Sequence, residues 1–212
     1  MLITPAWAVA RLPRRKPDAH KGSVGRVLVA GGGYGMAGAA ATAVRAALRA
    51  GAGYVRLAAP ELNRQVLQTR VPEAVYANLD DTDAVGAAAA AVDAALIGPG
   101  FGRDDAARRR LGHVLDATRG VPTLLDADAL TLLAEDQDRL RDVAAERPLL
   151  LTPHPGEASR LLGREVADLD RLHRFHPQRP PHRPGDRGKG QREPQGGGLG
   201  EHVDLQRGAP YR

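Results

Sequence analysis

Between residues 25 and 163 the chain repeats one pattern: a short apolar run stopped by Gly, Pro or Asp, then a helix-like stretch. The runs are "RVLVAGG" (26–32), "YVRLAAP" (54–60), "EAVYANL" (73–79), "AALIGPG" (94–100), "PTLLDAD" (122–128) and "PLLLTPH" (148–154). Helix signals separate them. "GAAATAVRAALRAG" (38–51) is Ala-rich, sets Arg45 and Arg49 one turn apart and ends on Gly. "ELNRQVLQTR", "DTDAVGAAAAAVD" from an Asp cap, "RDDAARRRLGHVLDATRG", residues 129–146 and "GEASRLLG" continue the series. Strands that are apolar throughout, each followed by a helix, predict a parallel sheet covered on both faces. The expected fold is a doubly wound, three-layer α/β domain with ligands at the carboxyl ends of its strands. The segment "MLITPAWAVARLPRRKPDAH" reads as an ordinary lead-in, because its apolar part precedes its basic part and a secretory signal has the reverse order.

The pattern stops near residue 172. The last 41 residues hold eight Gly and six Pro, and their apolar residues stand singly. So little apolar surface does not offset the entropy of ordering, which predicts a disordered tail over 171–212 behind a domain spanning 1–170. Of the 212 residues, 171–212 carry nine Lys and Arg against four Asp and Glu, so the tail holds the whole net charge of +5. A neutral body with a basic, aromatic-poor tail argues against a nucleic-acid partner, which needs a folded basic face. Cysteine is absent. That excludes disulfides and thiolate sites and fits a cytoplasmic setting. No apolar run approaches the roughly 18 residues of a membrane span.

Four strand ends carry the chemistry. In "GGGYGMAG" (31–38), Gly33, Gly35 and Gly38 fit G-x-G-x-x-G, a loop that brings backbone amides to a phosphate at a helix start. A tight turn explains it equally well. The acid expected about 20 residues on would be Glu61, which comes late. In "IGPGFG" (97–102), Gly98 and Gly100 leave bare backbone for a ligand. "LLDADAL" (124–130) sets Asp126 and Asp128 at another strand end, where paired carboxylates hold a cation through water or orient a base. For Asp128, capping the next helix is the favoured reading. In "TPHPGEASRLLG" (152–163) two prolines fix a loop that presents His154, and Glu157 opens a helix where its charge complements the dipole. A rigid loop at the ligand edge favours ligand contact for His154.

Together "HKGSVGRVLVAGGGYGMAGAA" (20–40), "ALIGPGFG" (95–102), "PTLLDADAL" (122–130) and "LLTPHPGEASRLLG" (150–163) resemble the ADP-dependent NAD(P)H-hydrate dehydratases of the ribokinase-like superfamily, over roughly residues 2–170. The resemblance implies a lyase that repairs NADH and NADPH hydrated at C6, with ADP or ATP as co-substrate and Mg²⁺. The hydroxyl is phosphorylated and then eliminated. It implies that Ala39 or its neighbour Ala40, Gly100 and His154 contact the hydrated dinucleotide. Glu157 and Asp126 would serve a phosphate and Mg²⁺ network. It also implies that complete members are homo-oligomeric. An NAD(P)-dependent oxidoreductase using "GYGMAG" as a Rossmann-type fingerprint stands as the alternative, although "TPHPGE" has no role there.

The resemblance ends where the pattern ends. The family continues with an apolar strand ending in Lys-Gly and then Gly-Gly-Thr-Gly-Asp, whose Asp activates the hydroxyl. "GGGLGEH" (196–202) lacks that Thr-Gly-Asp, so no catalytic Asp is assigned and this chain is expected to be inactive by itself. Codons for "GKGQREPQGG" (188–197), read one base later, permit "VKGNVNLKGA", the missing apolar strand and Lys-Gly. A single-base shift near 171–175 is the expectation this raises, together with poor solubility or a molten state of the chain alone.

Overall fold

A computed structural model of the chain describes residues 4–10 and 17–166. The elements run α1 (Pro5–Val9), β1 (Arg26–Ala30), α2 (Ala37–Arg49), β2 (Tyr54–Ala59), a 3-10 turn (Glu61–Asn63), α3 (Arg64–Arg70) and β3 (Val75–Asn78). There follow α4 (Thr82–Ala89), β4 (Ala94–Ile97), α5 (Asp105–Ala117), β5 (Thr123–Leu125), α6 (Asp128–Ala134), α7 (Gln137–Glu146), β6 (Leu149–Leu151) and α8 (Pro155–Leu162). The six strands form one sheet in the order β3-β2-β1-β4-β5-β6, and every pairing is parallel. The doubly wound α/β expectation holds, and each of the six apolar runs contains its strand.

Alternate side chains on β1, β2 and β4 enter different cores, as a pleated strand requires. Leu28, Ala30, Ala58, Ala95, Ile97 and Leu125 pack with α4 to α7 in one cluster. Val29, Val55, Leu57 and Ala59 pack with Ala40, Ala41 and Val44 of α2 and Leu67 of α3 in the other. Helix α4 starts from the expected Asp cap, Asp81 accepting the amides of Asp83 and Ala84, and α5 is capped the same way by Asp104, which accepts that of Ala107.

Three local readings change. The lead-in contains a helical turn, α1, with Pro at its first position and the Thr4 hydroxyl accepting the Trp7 amide. The single helix expected over 129–146 is two helices, because Asp136 leaves helical geometry and caps α7 by accepting from the Arg139 amide. Asp128 does not cap α6: it is that helix's first residue, and its carboxylate points to another loop. The boundary at 170 and the tail over 171–212 lie outside the described residues.

Candidate functional site

The strand order runs one way from β1 to β3 and the other way from β4 to β6, so it reverses between β1 and β4. Such a switch point opens a crevice at the carboxyl edge of the sheet. The loops leaving these two strands meet there backbone to backbone. The Gly32 amide donates to Pro99 O at 3.0 Å and the Gly33 amide to Gly100 O at 2.5 Å. A Cβ on Gly31 would lie 2.3 Å from Pro99 O, and one on Gly33 2.7 Å from Phe101 O. Glycine is required here because one loop lies on the other. Phe101, 1% exposed, plugs the second loop into the core; burying such a ring contributes about 1.5–3 kcal/mol.

This geometry alters the reading of G-x-G-x-x-G. The Gly33 amide is used within the protein and is not offered to a phosphate. Gly35, at φ +71°, makes the turn, and a Cβ on Gly35 or Gly38 would meet nothing within 4 Å. The open space therefore runs from Gly35 over the start of α2, and not over Gly33. Glu61, the late-placed acid, pairs with Arg64 at 3.2 Å on the surface.

The predicted residues fall at the carboxyl ends of β1, β4, β5 and β6, which share one edge of a parallel sheet. Ala39 is exposed on the first turn of α2. Ala40 is 0% exposed and packs in the core, where a Cβ on Gly32 would come within 2.8 Å of it, so its side chain faces away from any ligand. Of the two alanines, only Ala39 offers a surface. Gly100, at φ +60°, is buried beneath α2: a Cβ there would lie 2.8 Å from Met36 Cβ and 2.9 Å from Ala39 Cβ. Loop packing alone requires this glycine.

At the end of β5 the two aspartates part company. The half-buried Asp126 carboxylate has no partner among the described residues, while its carbonyl presses so close to Gly98 that a Cβ there would sit at 1.8 Å. Asp128 is 7% exposed and accepts from the Gly102 amide at 3.0 Å and from Arg103 Nε at 2.6 Å. Ala127 between them has φ +52°, the one positive value for a non-glycine among the described residues. Such a backbone costs about 1–3 kcal/mol and persists only where its surroundings impose it.

His154 and Glu157 form a reciprocal cap on α8. His154 Nδ1 accepts the amides of Gly156 at 3.0 Å and Glu157 at 3.4 Å, and Glu157 Oε2 accepts the His154 amide at 3.0 Å. With Nδ1 accepting, the ring proton sits on Nε2, 3.2 Å from Glu157 Oε1. Nδ1 is thus engaged inside the turn, and the imidazole, 62% exposed, presents the rest of its ring outward. Glu157 is 5% exposed, held by this turn.

One residue escaped sequence reasoning. Asn63, 7% exposed, donates from Nδ2 to Gly32 O at 2.8 Å and Gly33 O at 2.9 Å. Its only sequence signal is a polar residue inside the "ELNRQVLQTR" segment.

The model of the NAD(P)H-hydrate dehydratase family matches residues 27–177. A bifunctional NAD(P)H-hydrate repair enzyme of Moorella thermoacetica is 42% identical over 184 residues, covering 81% of this chain and 34% of that protein. An ADP-dependent (S)-NAD(P)H-hydrate dehydratase of Listeria monocytogenes is 36% identical, covering 75% of this chain and 56% of the relative. The Bacillus subtilis ADP/ATP-dependent NAD(P)H-hydrate dehydratase, co-crystallised with ATP and Mg²⁺, superposes with a TM-score of 0.60 at 31% identity, covering 80% of this chain and 58% of that one. The chain therefore spans about a third of the bifunctional relative and just over half of the single-function ones. With a ribokinase-like sheet and a family match over most of its length, the chain belongs to the NAD(P)H-hydrate dehydratase family.

Proposed function

We propose that the described domain is the part of an NAD(P)H-hydrate dehydratase that holds the hydrated dinucleotide, along the crevice over Ala39, the Gly98–Gly102 loop and His154. The observation that supports this is the open first turn of α2 beside the β1–β4 switch point, on a chain of this family. Small residues leave room for a flat dinucleotide there. His154 contributes a ring face fixed by Glu157, which suits packing against a planar group. Asp126 brings to the same edge a carboxylate that has no partner among the described residues.

Relatives use ADP or ATP, and we extend that requirement to this enzyme. The described residues do not themselves build a Mg²⁺ site. Among them no three His, Asp or Glu side chains converge, and the Glu157 carboxylate is taken up by the cap of α8. We therefore assign no step through the ion, and give Glu157 the role of fixing His154. The family's Gly-Gly-Thr-Gly-Asp is not in this sequence, so phosphate transfer is not assigned to these residues.

Calorimetric titration of the 212-residue chain with hydrated NADH and with intact NADH tests the reading. Tighter binding of the hydrate, with no ADP-driven recovery of reduced-nicotinamide absorbance, is expected. Equal binding with hydride transfer to an acceptor would favour the oxidoreductase, and failure to bind either form would sink the proposal.

A further inference from the structure

Two buried polar side chains bracket the crevice from outside. Asn63, from the turn after β2, holds the carbonyls of Gly32 and Gly33. Asp128, at the start of α6, holds the Gly102 amide and Arg103. Between these ends the loops are joined by their own backbones, Gly32 to Pro99 and Gly33 to Gly100. The chain of bonds is unbroken: Asn63 side chain, first loop, second loop, Asp128 side chain. Each brace is over nine-tenths buried and holds backbone of a glycine loop, Asp128 adding the Arg103 side chain.

We infer that Asn63 and Asp128 are positioning residues that clamp the two glycine loops into a single rigid unit, so that loosening either end loosens both. The loops need such a clamp. They are rich in glycine, the residue that loses most conformational freedom on ordering. Gly98, Gly100 and Gly102 all have positive φ, and Ala127 beside Asp128 is held in a strained backbone that relaxed surroundings would release. Asn63 suits its end because one amide nitrogen supplies two donors to two carbonyls. An aspartate there would place its charge against those carbonyls. Asp128 suits its end because it meets only donors. Pre-forming the crevice lowers the ordering cost of binding. The dinucleotide as ligand rests on the reading above; the clamp itself does not.

Hydrogen exchange resolved at single amides, on the ligand-free chain, tests the clamp. Asn63→Leu removes both donors at similar volume, and Asp128→Ala removes the acceptor. Each should lower protection about tenfold at the amides nearest to it and also across the junction. Loss of Asn63 should thus expose the Gly102 amide, and loss of Asp128 the amides of Gly32 and Gly33, with Leu57 in β2 unchanged. Asp128→Asn retains one acceptor for the Gly102 amide while its NH2 faces the Arg103 donor, and should restore part of the protection. A variant that melts too readily for exchange is read by a double-mutant cycle in urea. Asn63 and Asp128 hold different loops, so independent struts give additive losses, whereas a single clamp gives a double variant little worse than the worse single. Losses confined to the mutated loop, or additive losses, overturn the inference. In NADH titrations Asn63→Leu should weaken affinity about tenfold, with Asp128→Asn affected less. Unchanged affinity in Asn63→Leu overturns the clamp's part in binding. If the unmodified chain binds no NADH or hydrate, the functional reading fails and the clamp still stands or falls on exchange and the cycle.

Discussion

The two faces of the sheet are made of the same kinds of residue and meet different fates. On the face of α4 to α8 the core is continuous from Ala58 in β2 to Leu125 in β5, with Leu149 and Leu151 of β6 packed against it. On the face of α2 and α3 the core runs through β1 and β2 and reaches Leu96 of β4 at its margin. The next residues in register, Leu124 and Leu150, point the same way. Leu124 is half-buried, and Leu150 is 58% exposed on the edge strand. A strand that is apolar on both sides is built to be covered on both sides. The difference teaches that β5 and β6 carry a sequence suited to more cover than the described residues supply, in a chain that spans just over half of its single-function relatives.

The largest expected effects separate the covered sites of both faces from the open end of the α2 face. Leu125→Ala or Leu57→Ala, at sites 0% and 1% exposed, should cost about 2–5 kcal/mol by urea denaturation. Leu150→Ala should stay within about 0.5 kcal/mol, and Leu150→Lys should reduce self-association in sedimentation runs, since an exposed apolar edge invites pairing. A large loss for Leu150→Ala would mean that the open face is covered in solution.

A second contrast sets the crevice against the helices. Gly98→Ala places a Cβ 1.8 Å from Asp126 O at φ +128°, and should cost more than the roughly 1–2 kcal/mol of positive φ alone, because backbone must move. Gly112→Ala, inside α5 with nothing within 4 Å, should instead raise stability by up to about 1 kcal/mol. Comparable effects at both sites, measured by thermal melts, would break the distinction between loop packing and helix propensity.

The smallest effect belongs to the covered end of the α2 face. Tyr76 donates its hydroxyl to Ala59 O at 2.6 Å, under the Arg64 guanidinium 4.8 Å from the ring centre. Burial, then the nearby Glu61 charge, pushes its pKa up to about 12. A raised folded-state value means the proton is held more tightly in the native state. Its stabilisation is therefore complete below the unfolded value near 10 and is lost as pH rises through about 12. Tyr76→Phe should flatten the alkaline limb of the stability curve; an identical limb in both proteins would contradict that assignment.

The sheet was legible because each strand is a short apolar run closed by a residue that cannot extend it, so "RVLVAGG" and "AALIGPG" declare both a strand and its end. The site was legible at the level of strand ends and much less at the level of atoms. The glycines at 33, 98 and 100 were read as room for a ligand, yet each is needed by packing: Gly33 and Gly98 by carbonyls of other loops, Gly100 by Met36 and Ala39 at the start of α2. Those contacts join segments far apart in the chain, through groups no sequence displays. Asn63 escaped, and Asp128 was read as a cap, for the same reason: each holds a main-chain group 30 or 26 residues away. The His154–Glu157 spacing was visible as a capping box, but His stands outside the usual N-cap residues, so only the charge of Glu157 was read locally.

The strand order also bears on how the chain assembles. Four of the five strand pairings join neighbours in sequence, β1 with β2, β2 with β3, β4 with β5 and β5 with β6. The fifth, β1 with β4, pairs Val27 with Ala94. A chain leaving the ribosome N-terminus first can complete β1 to β3 as a local unit, but one edge of β1 then waits for β4. That single distant closure carries the main loop entropy of the sheet. It is also the step that brings the two glycine loops together, so formation of the crevice and the rate-setting event of folding would coincide.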